Sequence, residues 1–125
     1  MSIVKNLPSC PSKPSFEKRR LLDEKRATEL EGVFETLASA TRLRILHALV
    51  RGGEVSPGGL AEKLAMKPQA VSNQLQRLSD RGIVQTRREG NNVLYRIVDP
   101  CVIDLIDRGL CLLEDMPSSQ ATRRP

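Results

Sequence analysis

Residues 67–82, Lys-Pro-Gln-Ala-Val-Ser-Asn-Gln-Leu-Gln-Arg-Leu-Ser-Asp-Arg-Gly, constrain this chain more than any other stretch. Proline near the start and glycine at the end bound one short helix, because proline's fixed φ suits a first turn and glycine accepts a left-handed stop. At 100° per residue, Val71, Leu75 and Leu78 fall on one side, and Gln69, Ser72, Asn73 and Gln76 on the other. An ordinary surface helix carries charged pairs on its outer face, whereas this one carries amides. Gln and Asn can make bidentate hydrogen bonds to the adenine edge in the DNA major groove, and Ser can bond several bases. The residue types point to a surface that reads bases.

The flanking segments agree with that reading. Ser56-Pro57 combines a capping residue with a first-turn proline and starts a short helix to about Ala65, so the turn at Met66-Lys67 joins two helices as in a helix-turn-helix. Downstream, Ile83–Arg88 and Val93–Val98 are strand-like and rich in β-branched residues, with Glu89-Gly-Asn-Asn92 between them as a hairpin turn. The expected fold is mainly α with a β-hairpin wing (α+β), a winged helix-turn-helix. Lys67, Arg77, Arg87, Arg88, Asn91, Asn92 and Tyr95 are its candidate phosphate and wing contacts.

Charge places the anionic partner on the same segment. The chain of 125 residues carries a net +5. Residues 67–96 hold six cations against Asp80 and Glu89, or +4, whereas residues 99–115 hold Arg108 against five carboxylates, or −4. The basic excess sits on the proposed reading helix and wing, where phosphates would be met. Aromatic content is 2%, which argues against single-strand binding by base stacking. No apolar run is long enough to span a membrane and no secretory signal is evident, so a cytoplasmic protein is expected.

The organisation is that of one domain between two tails. Residues 1–20, broken by Pro8, Pro11 and Pro14, read as a flexible tail, and so do residues 116–125. Residues 21–115 form the DNA-binding and dimerisation domain. Within it a helix from about Leu22 to Ala38 carries Leu30, Val33, Phe34 and Leu37 at the spacing of a buried stripe, and a second runs from about Ala40 to Val50. Asp99-Pro100 starts a last helix to about Glu114, with Val102, Leu105, Ile106, Leu110 and Leu113 on its apolar face. His47 is read as a packing or hydrogen-bonding side chain rather than a ligand.

With its elements in this order, the chain from about Glu29 to Glu114 resembles the ArsR/SmtB family of bacterial repressors, most of which release DNA on binding a metal or on thiol chemistry. The resemblance rests on Leu37-Ala-Ser-Ala-Thr-Arg-Leu-Arg-Ile-Leu46, Ala70-Val-Ser-Asn-Gln-Leu-Gln-Arg-Leu78, Gly82-Ile-Val84 and Arg87-Arg-Glu-Gly-Asn-Asn-Val-Leu-Tyr-Arg96. It implies a homodimer held by the first and last helices and bound to double-stranded DNA bearing an inverted repeat. The family's metal motif in the helix before the reading helix is absent, since the chain has Val55-Ser-Pro-Gly-Gly59 there. Against the family's zinc pattern in the last helix, Asp99-Pro-Cys101 matches the first half with Cys for His. Cys111-Leu-Leu-Glu114 matches the second half one residue early; in strict register that pair would be Leu112 and Asp115.

Three cysteines at wide spacing make no disulfide framework. Each of Cys10, Cys101 and Cys111 can be an inert packing thiol, a ligand for a thiophilic metal or metalloid ion, or a redox thiol, with Asp99 and Glu114 as candidate carboxylate ligands. Ten helical residues separate Cys101 from Cys111 by about 15 Å, so one helix cannot bring both to one ion, although two antiparallel copies could. Cys111 lies with Asp104, Asp107 and Asp115 on the helical wheel, opposite the apolar stripe. The reading is a repressor released by such an ion. The alternatives are a thiol-redox or persulfide-responsive repressor of the same fold, or a winged-helix protein-interaction module without an inducer. With one histidine, no phosphate-binding glycine loop and no nucleophile motif, the chain has nothing from which to assemble an enzyme site.

Overall fold

The computed structural model of the protein describes residues 13–116. Most of both expected tails, and with them Cys10, lies outside the described residues. The described chain divides into two units, Lys13–Asp99 and the segment that begins at Pro100. Lys13–Asp99 contains a 3-10 turn at Phe16–Lys18, then α1 (Glu24–Leu37), α2 (Ala40–Gly52), α3 (Pro57–Leu64), α4 (Pro68–Asp80), β1 (Val84–Glu89) and β2 (Asn92–Ile97); α5 (Pro100–Asp115) belongs to the second.

Local chemistry starts and stops these helices. Asp23, Ser39 and Ser56 each accept a hydrogen bond from a first-turn N–H of α1, α2 and α3, satisfying donors that the helix itself leaves unpaired. Proline occupies the first position of α3 and of α4. Between them the chain turns through Ala65 in the left-handed region (φ 54°, ψ 48°), with the Met66 N–H reaching back to the Ala61 carbonyl at 2.9 Å. That closure of the last carbonyls sets the angle between the two helices of the motif.

The core of this unit lies where α2, α3 and α4 meet. Ile45, Leu46, Leu49, Leu60, Val71, Leu75, Leu78 and Val84 are fully buried, and among the described residues no polar or charged side chain is buried with them. The stripe expected on α1 is a different matter. Leu37 is buried, but Leu30, Val33 and Phe34 are 39%, 37% and 48% exposed. Their helical spacing is sound, yet one copy of the chain offers them no partner surface. On α5, Val102, Leu105 and Ile106 are half-buried, while Leu110, Leu112 and Leu113 are exposed.

The strands pair antiparallel from Val84 opposite Ile97 to Glu89 opposite Asn92, so Gly90 and Asn91 alone make the turn. Gly90 has φ 64°, the left-handed conformation that a two-residue hairpin needs at its first central position. A short bridge between Val55 and Tyr95 ties the hairpin to the segment leading into α3. The wing is thereby anchored to the helix-turn-helix at both ends.

Candidate nucleic-acid interface

The amide face expected on α4 is present and open. Val71, Leu75 and Leu78 are fully buried, and this fixes the rotation of the helix so that Gln69, Ser72, Asn73 and Gln76 are exposed. Gln69 Nε2 donates to Asn73 Oδ1 at 3.0 Å. That bond leaves the Asn73 amide N–H as a donor and the Gln69 carbonyl as an acceptor, the two kinds of group that adenine N7 and N6 take. Gln76 Nε2 similarly donates to Asp80 Oδ1 at 2.9 Å, one turn on, leaving its own carbonyl free to accept. α4 carries no side-chain cap at its start, where Lys67 is the N-cap residue, so its first N–H groups face outward unpaired by side chains.

The wing cations divide into two kinds. Arg88 is exposed, with no ion pair among the described residues. Arg87, expected as a phosphate contact, is instead held in a bidentate pair: its Nε and Nη2 donate to Glu54 at 3.0 and 2.6 Å. Arg96 Nε stands 3.9 Å from the same carboxylate. The hydrogen bond from Arg87 holds the Glu54 carboxyl below its ordinary value, and raises Arg87 in turn. Glu54 precedes Val55, the residue that bridges to Tyr95, so this pair fastens the wing to the α2–α3 connection. Arg77, Asn91 and Asn92 are exposed, and Tyr95 is half-buried.

Arg42 was not legible as a functional residue in sequence. Its Nε donates to the Thr36 carbonyl at 2.6 Å, its Nη2 to the Glu35 carbonyl at 3.4 Å, and its Nη1 to Gln74 Oε1 on α4 at 2.8 Å. One half-buried guanidinium therefore closes the end of α1 and holds α4. The only sequence signal was an arginine four residues after the end of an amphipathic helix, inside a motif read for its leucines. Arg81 adds a second link, because its guanidinium lies over Gly32 of α1, where a Cβ would come within 2.8 Å.

On α5, Cys101 is half-buried in the first turn and disulfide-bonded, and Cys111 is an exposed free thiol. The helix is continuous between them, which keeps them about 15 Å apart. Asp104 Oδ1 and Asp107 Oδ2 are buried without a hydrogen-bond partner, although Arg108 Nε lies 3.9 Å from the former. Asp99 precedes the helix and Glu114 is exposed near its end. Among the described residues no three His, Cys, Asp or Glu side chains come together in a way that could hold a metal. Contrary to the expectation that the cysteines form no disulfide, Cys101 is engaged in one, so Cys111 alone offers a thiol among the described residues, and a single copy does not assemble a site for a soft ion. His47, expected to pack or to bond, does neither: it is exposed on α2 and makes no hydrogen bond among the described residues. No described helix is long and apolar enough to cross a membrane.

A buried three-helix core, an outward amide helix and an anchored basic wing define a DNA-binding transcriptional regulator of the winged helix-turn-helix class. Residues 37–87 match the helix-turn-helix domain model. The chain is 40% identical over 84 residues to the biofilm growth-associated repressor of Agrobacterium fabrum, covering 67% of this chain and 71% of that one. It is 31% identical over 121 residues to the transcriptional regulator NmtR of Mycobacterium tuberculosis, covering 97% and 92%. Among solved structures, the antimony-specific transcriptional repressor AntR superposes with a TM-score of 0.72 at 52% identity, over 86% of this chain and 96% of that one. The chain belongs to the ArsR/SmtB family of winged helix-turn-helix repressors, and it is a regulator rather than an enzyme.

Proposed function

We propose that the protein is a homodimeric repressor that binds an inverted-repeat operator through α4 and that, in its reduced form with the Cys101 disulfide opened, leaves it when cysteine thiolates of α5 bind a thiophilic metalloid, with trivalent antimony as the first candidate. The observation that carries the proposal is the likeness to AntR, an antimony-specific repressor, at 52% identity over most of both chains. The chemistry of α5 supports it. Thiolate is the soft donor such an ion prefers, and two antiparallel copies of α5 would bring Cys101 of one protomer toward the partner's Cys111. Cys10, Asp99 and Glu114 would complete the ligand set. A related mycobacterial protein is described as homodimeric, and the exposed apolar stripes of α1 and α5 supply the surface a second copy would cover.

The test is titration of fully reduced protein on its own promoter fragment with antimonite, arsenite, Zn, Cd, Pb, Cu(I) and a persulfide donor. Antimonite or arsenite should release the wild type, while Cys101→Ser and Cys111→Ser each keep operator binding and lose release. Cys10→Ser should weaken the response only in part, since ordering a terminal ligand is entropically costly. Release by the persulfide donor alone would support a thiol switch instead. A triple Cys→Ser variant that dissociates at the same inducer concentration would place sensing elsewhere.

A further inference from the structure

Apart from the amide face and the wing, Lys13–Asp99 carries a concave basic surface among the described residues. A groove of about 480 Å³ between α2 and α3 is lined by Arg44, His47, Ala48, Arg51, Lys63 and Leu64. Its apolar members are Ala48 and Leu64, its polar members are three cations and an imidazole, and no carboxylate lines it. Some arginines elsewhere find carboxylates, Arg26 with Glu29, Arg87 with Glu54 and Arg108 with Asp104, and those of the groove do not among the described residues. In the groove, Arg44 gives one donor to the Leu64 carbonyl at 3.2 Å, which closes the end of α3, and keeps its other donors. Arg51 and Lys63 make no hydrogen bond or ion pair among the described residues.

Its place in the fold identifies the anion. Lys63 and Leu64 end α3, and the chain reaches Lys67 at the start of α4 after only Ala65 and Met66. The groove therefore lies by the N-terminal end of the reading helix, whereas the wing follows its C-terminal end. A helix lying in a major groove about 12 Å wide has a phosphate backbone on each side. The wing meets one, and the other needs positive charge near the start of α4.

Resting on the DNA-binding reading above, we infer that the groove of Arg44, His47, Arg51 and Lys63 is a second seat for operator phosphates, which together with Lys67 and the wing clamps the reading helix from both ends. It anchors and does not read bases.

The experiment compares wild type with H47Q/R51Q/K63Q on operator and random duplexes across a range of salt, leaving Arg44 intact because it closes α3. Each lost phosphate contact lowers the slope of log affinity against log salt by about 0.9. The triple variant should lose about two units of slope per protomer, hence nearly four for the two-fold dimer, and weaken both duplexes by the same factor, with an unchanged thermal melt. An unchanged slope overturns the inference while leaving the repressor reading intact. Wild-type protein that binds neither duplex overturns both. Saturable perturbation of His47 by inorganic phosphate, with a normal DNA slope, would make this a small-anion site and equally overturn the inference.

Discussion

Glu54 and Arg87 show how one carboxylate can subtract a cation from a DNA-binding surface. The pair lies 33 residues apart in sequence, so the charge count credits Arg87 to phosphate while the fold gives it to Glu54. Arg88, its neighbour, remains available. The expected outcome is that Arg88→Ala lowers the salt slope by about one unit per protomer, Arg87→Ala lowers it by less, and Glu54→Gln raises both the slope and the affinity for random duplex. Binding isotherms at four or five salt concentrations check all three. The pH dependence follows from the same contact. Glu54 titrates below its ordinary value because Arg87 donates to its charged form. The stabilisation of the wing tether is therefore present above the unfolded-state value and is lost as pH falls through the folded one. In an NMR titration, the Glu54 carboxyl should move back to the ordinary range in Arg87→Gln. No return would mean that the pair does not form in solution.

At the scale of elements, the features legible in sequence are those set by local chemistry. Ser56 with Pro57, the 3.6-residue spacing of Val71, Leu75 and Leu78, and Gly90 in the hairpin each act within a few residues, and the elements begin and end within about two residues of their expected positions. Arg42 acts across elements and was invisible for that reason. Removing it leaves the Glu35 and Thr36 carbonyls and Gln74 without their shared donor. Arg42→Ala should lower stability by about 1–3 kcal/mol in urea unfolding, since half-buried acceptors lose a charged partner. It should also weaken operator binding in the background of a stabilised variant, because α4 loses its tie to the corner between α1 and α2. Full operator affinity in a variant that has lost the stability would limit Arg42 to folding.

For the whole chain, charge is unevenly distributed: the segment from Lys67 through the wing is net basic and α5 is net acidic, while α1 and α5 each expose large apolar side chains. Sequence periodicity marked the α1 stripe as buried, and a single chain leaves Leu30, Val33 and Phe34 open, because burial between copies looks the same in sequence as burial within one. The proposed sensing site was the least legible part. Its candidate ligands Cys101 and Cys111 lie about 15 Å apart on one helix, and only a second helix, which the sequence cannot orient, could bring them together.

The claim on which everything else depends is that α4 reads bases, and a two-duplex comparison tests it most directly. Asn73→Ala and Gln76→Ala should each lose about 1–3 kcal/mol on the operator, with little change on random DNA of equal length at the same salt. The wild type should bind the operator as a two-fold dimer, with half-sites about one helical turn or a multiple apart. Equal losses on both duplexes, or a change of base preference in Arg88→Ala but in neither α4 variant, would contradict the account.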